Sequence, residues 1–188
     1  MTRVIKTTDL EAAGVPRYAI ALRCRPGGPW QRILPGVLLL SAGPPTRAQR
    51  VRAALTYAGP EAVLTGVDAL REQGFPDLPL PPRIHLLQPA ARRKTGDHHL
   101  RLERTTRLPE AVVKDGLPLA PPERAVLDAV RNEAHPRRQQ AMITAVLRRG
   151  ACTVAALLRE LDAGSQRGAG TPRTTLRRLA LDHQAAFP

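Results

Sequence analysis

Residues 7–40 read TTDLEAAGVPRYAIALRCRPGGPWQRILPGVLLL, and the order of signals in this stretch decides the fold of the N-terminal part. Thr7 or Thr8 can cap a helix over Asp9–Ala13, because a side-chain oxygen there accepts an otherwise unpaired backbone N–H. Asp9 and Glu11 fall in the first turn, where the helix dipole favours negative charge. Gly14 can close the helix in the left-handed conformation. Pro16 suits the first position of a second helix running to about Arg25, with Ile20 and Cys24 on one face. Pro26-Gly27-Gly28-Pro29 stops it. Trp30–Leu34 reads as a strand, Pro35-Gly36 as a tight turn and Val37–Leu40 as the returning strand. The predicted order is helix, turn, helix, hairpin: a winged helix-turn-helix.

Working outward, Gly43-Pro44-Pro45 is a stiff linker, which places a boundary between residues 1–43 and residues 46–188. Thr46 can cap a helix whose apolar face is Ala48, Val51, Leu55 and Ala58. A short strand at Ala62–Leu64, a short helix at Val67–Gln73 and a proline-rich loop over 74–82 follow. Strands are predicted at Arg83–Gln88 and His99–Thr105, then a hairpin of Ala111–Lys114 and Leu117–Leu119 around Asp115-Gly116. The last third is helical. One helix starts at Pro121-Pro122 and carries Val126, Leu127 and Val130 on one face; a second, marked by Met142, Ile143, Val146 and Leu147, closes at Gly150. A third carries Val154, Leu157, Leu158 and Leu161. A final helix capped by Thr171-Pro172 points Leu176 and Leu179 inward and Arg173, Arg177 and Arg178 outward. The fold class is therefore α+β: an N-terminal winged helix-turn-helix, then a mixed α/β domain with a small antiparallel or mixed sheet and C-terminal helices.

Hydrophobic residues make up 43% of the chain, enough for a packed core. Aromatics are only 3%, too few for a base-stacking platform. Lys and Arg total 29 against 16 acids, a net charge of +13. Only three of the basic residues are lysines, a bias that GC-rich coding explains, but coding bias does not explain the excess of base over acid. That excess favours a polyanion, since neutralised phosphates release counterions. Two distant cysteines, Cys24 and Cys152, rule out a disulfide framework and read as buried thiols. No apolar run is long enough to span a membrane and no signal-peptide core stands at the N-terminus, so the expectation is a cytoplasmic protein with no membrane partner.

The chemistry-bearing residues point to binding rather than catalysis. His98 and His99 are adjacent, so in a strand they face opposite sides and cannot chelate one ion. His85, His135 and His183 lack metal-ligand spacing. There is no P-loop, dinucleotide fingerprint or nucleophile elbow, and Ser41 and Ser165 lie in linker-like contexts. No cofactor, no metal and no enzymatic activity are expected. A recognition helix needs long donors on its exposed face, and Arg17, Tyr18 and Arg25 supply them opposite Ile20 and Cys24. Arg23 lies at the flank, and Arg32 on the first hairpin strand can meet a phosphate. In this unit Arg3, Lys6, Arg17, Arg23, Arg25 and Arg32 outnumber Asp9 and Glu11. Past the linker, Arg47 and Arg50 extend the candidate DNA-binding set, with Arg52 beside them; Arg92-Arg93-Lys94 forms a further basic loop. The alternative is the same scaffold used only for protein contact.

The chain also resembles the AbiEi-type antitoxins of type IV toxin–antitoxin systems, in their actinobacterial form. The resemblance rests on Ala12-Ala13-Gly14-Val15, on Trp30-Gln31-Arg32-Ile33-Leu34-Pro35-Gly36-Val37, and on the Thr46–Ala58 helix with Gly59-Pro60 and Ala62-Val63 after it. It continues through Val113-Lys114-Asp115-Gly116-Leu117-Pro118-Leu119, Arg124–Ala129 and Arg177-Arg178-Leu179. It implies a winged-helix repressor that binds operator DNA, a nucleotidyltransferase-like toxin as partner, and no catalysis. The family usually has a helix before the Thr7 segment, where only Met1–Lys6 stand here, so the three-helix core is expected either to be incomplete or to be completed by a partner, for instance in a homodimer. The chain ends before the nuclease-like C-terminal domain of some relatives.

Overall fold

The computed structural model describes residues 4–165 and 168–185. Among the described residues it holds eight helices and two sheets, an α+β arrangement. Arg3 and the side chain of His183 lie outside the described residues.

The N-terminal elements are β1 (Val4–Lys6), α1 (Thr7–Ala12), α2 (Arg17–Arg23), β2 (Gln31–Leu34) and β3 (Val37–Leu39). The expectation of a bare Met1–Lys6 lead-in is corrected by β1. Val4, Ile5 and Lys6 pair antiparallel with Leu39, Leu38 and Val37, and the sheet order is β1-β3-β2. A three-residue strand is too short to show a period, so only its β-branched Val4 and Ile5 betray it. The strand feeds directly into α1, so Lys6 is the cap residue and no side chain caps the helix. Thr7 sits inside the helix, and its N–H donates to the Gly36 carbonyl at 2.9 Å. Gly14, at φ +84°, makes the turn between the two helices, as read from the sequence.

The second helix is shorter than expected. Pro16 is its cap rather than its first residue, and the helix ends at Arg23 with Cys24 as its C-cap. Arg25 therefore lies in the turn that follows. That turn is tight: the Trp30 N–H donates to the Arg23 carbonyl at 3.1 Å and the Gly28 N–H to that of Arg25 at 2.8 Å. A Cβ on Gly28 would stand 2.3 Å from the Arg23 oxygen, so only glycine fits. The small core beneath is Leu10, Ile20 and Leu38, with Ile5, Val15, Cys24, Trp30 and Leu40 against it.

Helix α3 (Arg47–Ala58) opens on a complete capping box. Thr46 Oγ1 accepts from the Gln49 N–H, and the Gln49 side chain accepts from the Thr46 N–H. Such a cap is worth about 0.5–2 kcal/mol. The helix packs on β1, β2 and β3 and also on β5 (Ile84–Pro89). Two partners explain why Ala53 and Ala54 are buried together with Val51 and Ala58, while Ala48 is exposed. The single apolar stripe read from the sequence is too narrow for a helix covered on both sides.

The larger lobe continues with β4 (Val63–Thr65), α4 (Gly66–Glu72), β5, β6 (Leu100–Thr105), β7 (Val112–Lys114) and β8 (Leu117–Leu119). These strands form a mixed sheet of order β6-β5-β4-β8-β7. β5 is antiparallel to β4 and parallel to β6, while β8 is parallel to β4 and antiparallel to β7. Helices α5 (Pro122–Arg131), α6 (Pro136–Arg148), α7 (Val154–Ala163) and α8 (Gly170–Ala185) complete the lobe. Thr171 lies inside α8 rather than capping it, and Arg173 bonds to Asp162 at 2.5 Å. α5 is buried from Arg124 to Val130, with charged Arg124 and Asp128 included. Asp128 accepts from Arg124 Nε at 2.9 Å and from the Thr65 hydroxyl at 2.8 Å, so the interior carboxylate is fully partnered.

Candidate nucleic-acid interface

The small unit turns its cations outward because Leu10, Ile20 and Leu38 fill the space beneath α2. Tyr18 is 76% exposed and Leu22 is 54% exposed. The two are four residues apart, hence on one face of α2, opposite Ile20 and Cys24. Arg17 is also exposed, but its Nε donates to Glu11 Oε1 at 2.9 Å. Arg23 lies over the Trp30 ring, 4.7 Å from its centroid. Arg25, in the turn after α2, and Arg32, on the solvent side of β2, are exposed. No acceptor contacts either guanidinium among the described residues. The hairpin is held by Gln31, whose side-chain amide donates to the carbonyls of Ser41 and Gly43, both at 2.6 Å.

The set read from the sequence is thus only partly brought together. Arg17, Tyr18, Arg23, Arg25 and Arg32 lie on the small unit. Arg47 is a correction: its guanidinium grips Asp68, Nε to Oδ1 at 2.7 Å and Nη2 to Oδ2 at 2.6 Å. Asp68 is only 4% exposed, so Arg47 compensates a buried charge of the larger lobe and leaves the phosphate-binding set. Arg50 is half-buried, and its Nε donates to the Pro45 carbonyl at 3.4 Å, so it braces the linker. Leu22 was missed; its spacing from Tyr18 was the available signal.

Two other clusters weighed from the sequence change character. Arg92 pairs with Glu61, and Lys94 bonds to the Tyr57 carbonyl, so the basic inter-strand loop folds back on the lobe. His98 and His99 lie in a bend rather than a strand, both exposed, held by Asp97 Oδ1 accepting from the His99 and Leu100 N–H groups at 2.7 and 2.8 Å. His85, by contrast, is buried. Its Nε2 donates to Glu103 Oε2 at 3.1 Å, and its Nδ1 lies 3.4 Å from the Asn132 amide nitrogen. Arg101 bonds to both Glu103 and Asn132, closing a ring of four polar side chains. The His85 hydrogen bond above all, with the charges of His85 and Arg101, pulls the Glu103 carboxyl down to about 2 against the opposing effect of its burial. Burial and the nearby Glu123 push the Cys152 thiol up to about 11. Among the described residues no group of three His, Cys, Asp or Glu side chains is placed to hold a metal, and no helix is long and apolar enough to cross a membrane.

No family model matches the chain, and no curated protein matches it. Among solved structures, the RV2827C protein from Mycobacterium tuberculosis is similar, with a TM-score of 0.62 and 16% identity over 93% of this chain and 71% of that one. At that identity the likeness is one of fold: both chains share an α+β architecture that runs through the small unit and the larger lobe.

Proposed function

We propose that the chain is a sequence-specific DNA-binding transcriptional regulator of the repressor type, a binding protein rather than a catalyst. In this reading the N-terminal unit is a winged helix: α2 enters the major groove and the β2–β3 hairpin is the wing on the backbone. The strand order β1-β3-β2, with both helices inserted between β1 and β2, supports it. The observation that carries it is the exposure of Arg25 and Arg32, unpartnered among the described residues, beside exposed Tyr18. Arg17 and Arg25 read base edges, the Tyr18–Leu22 face packs on them, and Arg32 and Arg23 meet phosphates. The resemblance to antitoxins extends the reading to a nucleotidyltransferase-like toxin docked on the larger lobe.

The test is a gel-shift titration with the DNA upstream of the protein's own reading frame. Arg17→Ala with Arg25→Ala should weaken binding by at least tenfold, since one bidentate base contact is worth about 1–3 kcal/mol. Unchanged affinity takes α2 out of the groove.

A second reading is favoured by the exposed Tyr18–Leu22 pair, which also suits a protein partner, either a second copy or a toxin. Light scattering decides it. A dimer that Leu22→Ser converts to monomer, with DNA affinity retained, assigns α2 to protein contact.

A further inference from the structure

The larger lobe encloses a cavity of about 620 Å3 between α4, the 75–83 loop, β5, β6, α5 and α6. That volume lies within the range of small-molecule sites, roughly 300–1,000 Å3. Its buried lining is mostly apolar, with Val67, Phe75, Leu78 and Met142 in it. His85, Arg101 and Asn132 of the polar ring also line it. Its exposed lining is cationic, with Arg83, Arg138 and Arg149 against Asp77, and the half-buried Glu133 stands beside them. Arg138 and Arg149 each form a loose ion pair, with Glu133 and Asp77, at 3.9 Å; neither pair is close enough to hydrogen-bond, and both guanidinium groups stay more than half exposed. Arg83 has no side-chain partner among the described residues.

We propose that this cavity binds a small organic carboxylate with an apolar body, the body among Val67, Phe75 and Met142 and the carboxylate on Arg83 and Arg138. The rim determines the anion. Pro79, Pro81 and Pro82 line it and have no N–H, so the backbone there cannot form the amide cradle that phosphates prefer. Recognition falls to guanidinium groups, whose planar fork matches a carboxylate. The rim is also held in place before any ligand arrives. Arg47, fixed on Asp68, donates to the carbonyls of Pro82 and Arg83 at 3.4 and 3.3 Å. A rim ordered in advance lowers the conformational cost of binding.

The experiment titrates the full-length chain with phenylacetate and with indole-3-acetate, following thermal stability and, independently, heat of binding. Phenylacetamide is the neutral control. No DNA is present, so the result stands apart from the DNA-binding reading. The expected result is saturable stabilisation by at least one of the two carboxylates and a much weaker effect of the amide. Affinity should fall about threefold to tenfold in each of Arg83→Ala and Arg138→Ala, two exposed positions where the fold tolerates truncation. Ala145→Phe, which intrudes into the cavity, should abolish binding; if it fails to fold, the two arginine variants decide the matter. The proposal is overturned if neither carboxylate binds saturably, if the amide binds as well as the acid, or if both arginine variants bind like the parent chain.

Discussion

In the larger lobe Arg124, 8% exposed, holds Asp128 at 2.9 Å, and Arg47 grips Asp68 at 2.6 Å. In the small unit Arg25 and Arg32 are exposed and hydrogen-bond to no acceptor among the described residues. The same side chain is structural in one region and free in the other, and the distribution of acids explains why. The first 43 residues carry only Asp9 and Glu11, whereas the remainder carries the other fourteen acids of the chain. A net charge of +13 is therefore uneven in consequence: many cations of the larger lobe are answered locally, and Arg25 after α2 and Arg32 on the hairpin remain available to an outside anion. The two cores differ in the same sense. Only Leu10, Ile20, Val37, Leu38 and Leu39 are buried among the described residues of the small unit, so its fold depends on α3 lying between it and β5.

The strongest way to break this contrast is Asp128→Ala. It takes the acceptor from Nε of the buried Arg124, which keeps the Arg107 carbonyl and the more distant Glu160 on its Nη1, and the Thr65 hydroxyl and Arg131 lose theirs as well. A buried pair deprived of one member costs about 3–5 kcal/mol. Urea denaturation should show that loss. Arg25→Ala, on the exposed turn, should move the midpoint by no more than a few tenths of a kcal/mol. If the two substitutions destabilise equally, the division between structural and free arginines is wrong.

A finer test takes Arg32→Ala on the hairpin. It should leave stability alone and weaken DNA binding uniformly across sequences. The slope of log affinity against log salt should shrink by about one, the signature of one lost phosphate contact. The same measurement on Arg47→Ala should show destabilisation in place of a changed slope, because Arg47 answers Asp68. A changed slope for Arg47, with stability intact, would return it to the interface.

How much of this contrast could be read beforehand depends on the range of each cause. Helix, turn, helix and hairpin were legible because Gly14, Pro16, the Pro26–Pro29 stop and Pro35-Gly36 act on their own neighbours. The Thr46 cap and the Asp115-Gly116 turn were legible for the same reason, and Asp115 and Gly116 adopt φ of 51° and 73°. What was not legible is set by partners far along the chain. β1 exists only because β3, over thirty residues later, offers an edge. Arg47 looked like its neighbours Arg50 and Arg52, and nothing local shows that Asp68 lies within its reach. His85 had no metal-ligand spacing and was set aside, while Glu103 and Asn132 waited on other elements to surround it. Arg17 and Tyr18 were legible as exposed because Ile20, opposite them on the helix, is close in sequence; Arg25 is exposed too, but in the turn after α2 rather than on the helix face read for it.

The smallest expected effect belongs to pH, in the larger lobe. Glu103, held near 2 by His85 and Arg101, has an ordinary value of 4.5. A carboxylate whose folded value is depressed stabilises the fold fully above its ordinary value and loses that contribution as pH falls through the folded one. The stability difference between the parent chain and Glu103→Gln should thus be constant above pH 4.5 and narrow progressively toward pH 2. Glu103 is about one-third exposed, so solvent screens the pair and the difference will be modest. Denaturation midpoints of the two chains, measured from neutral pH down to pH 2, check it. A gap that stays flat down to pH 2 would show that His85 and Arg101 do not hold the Glu103 carboxylate in its charged form.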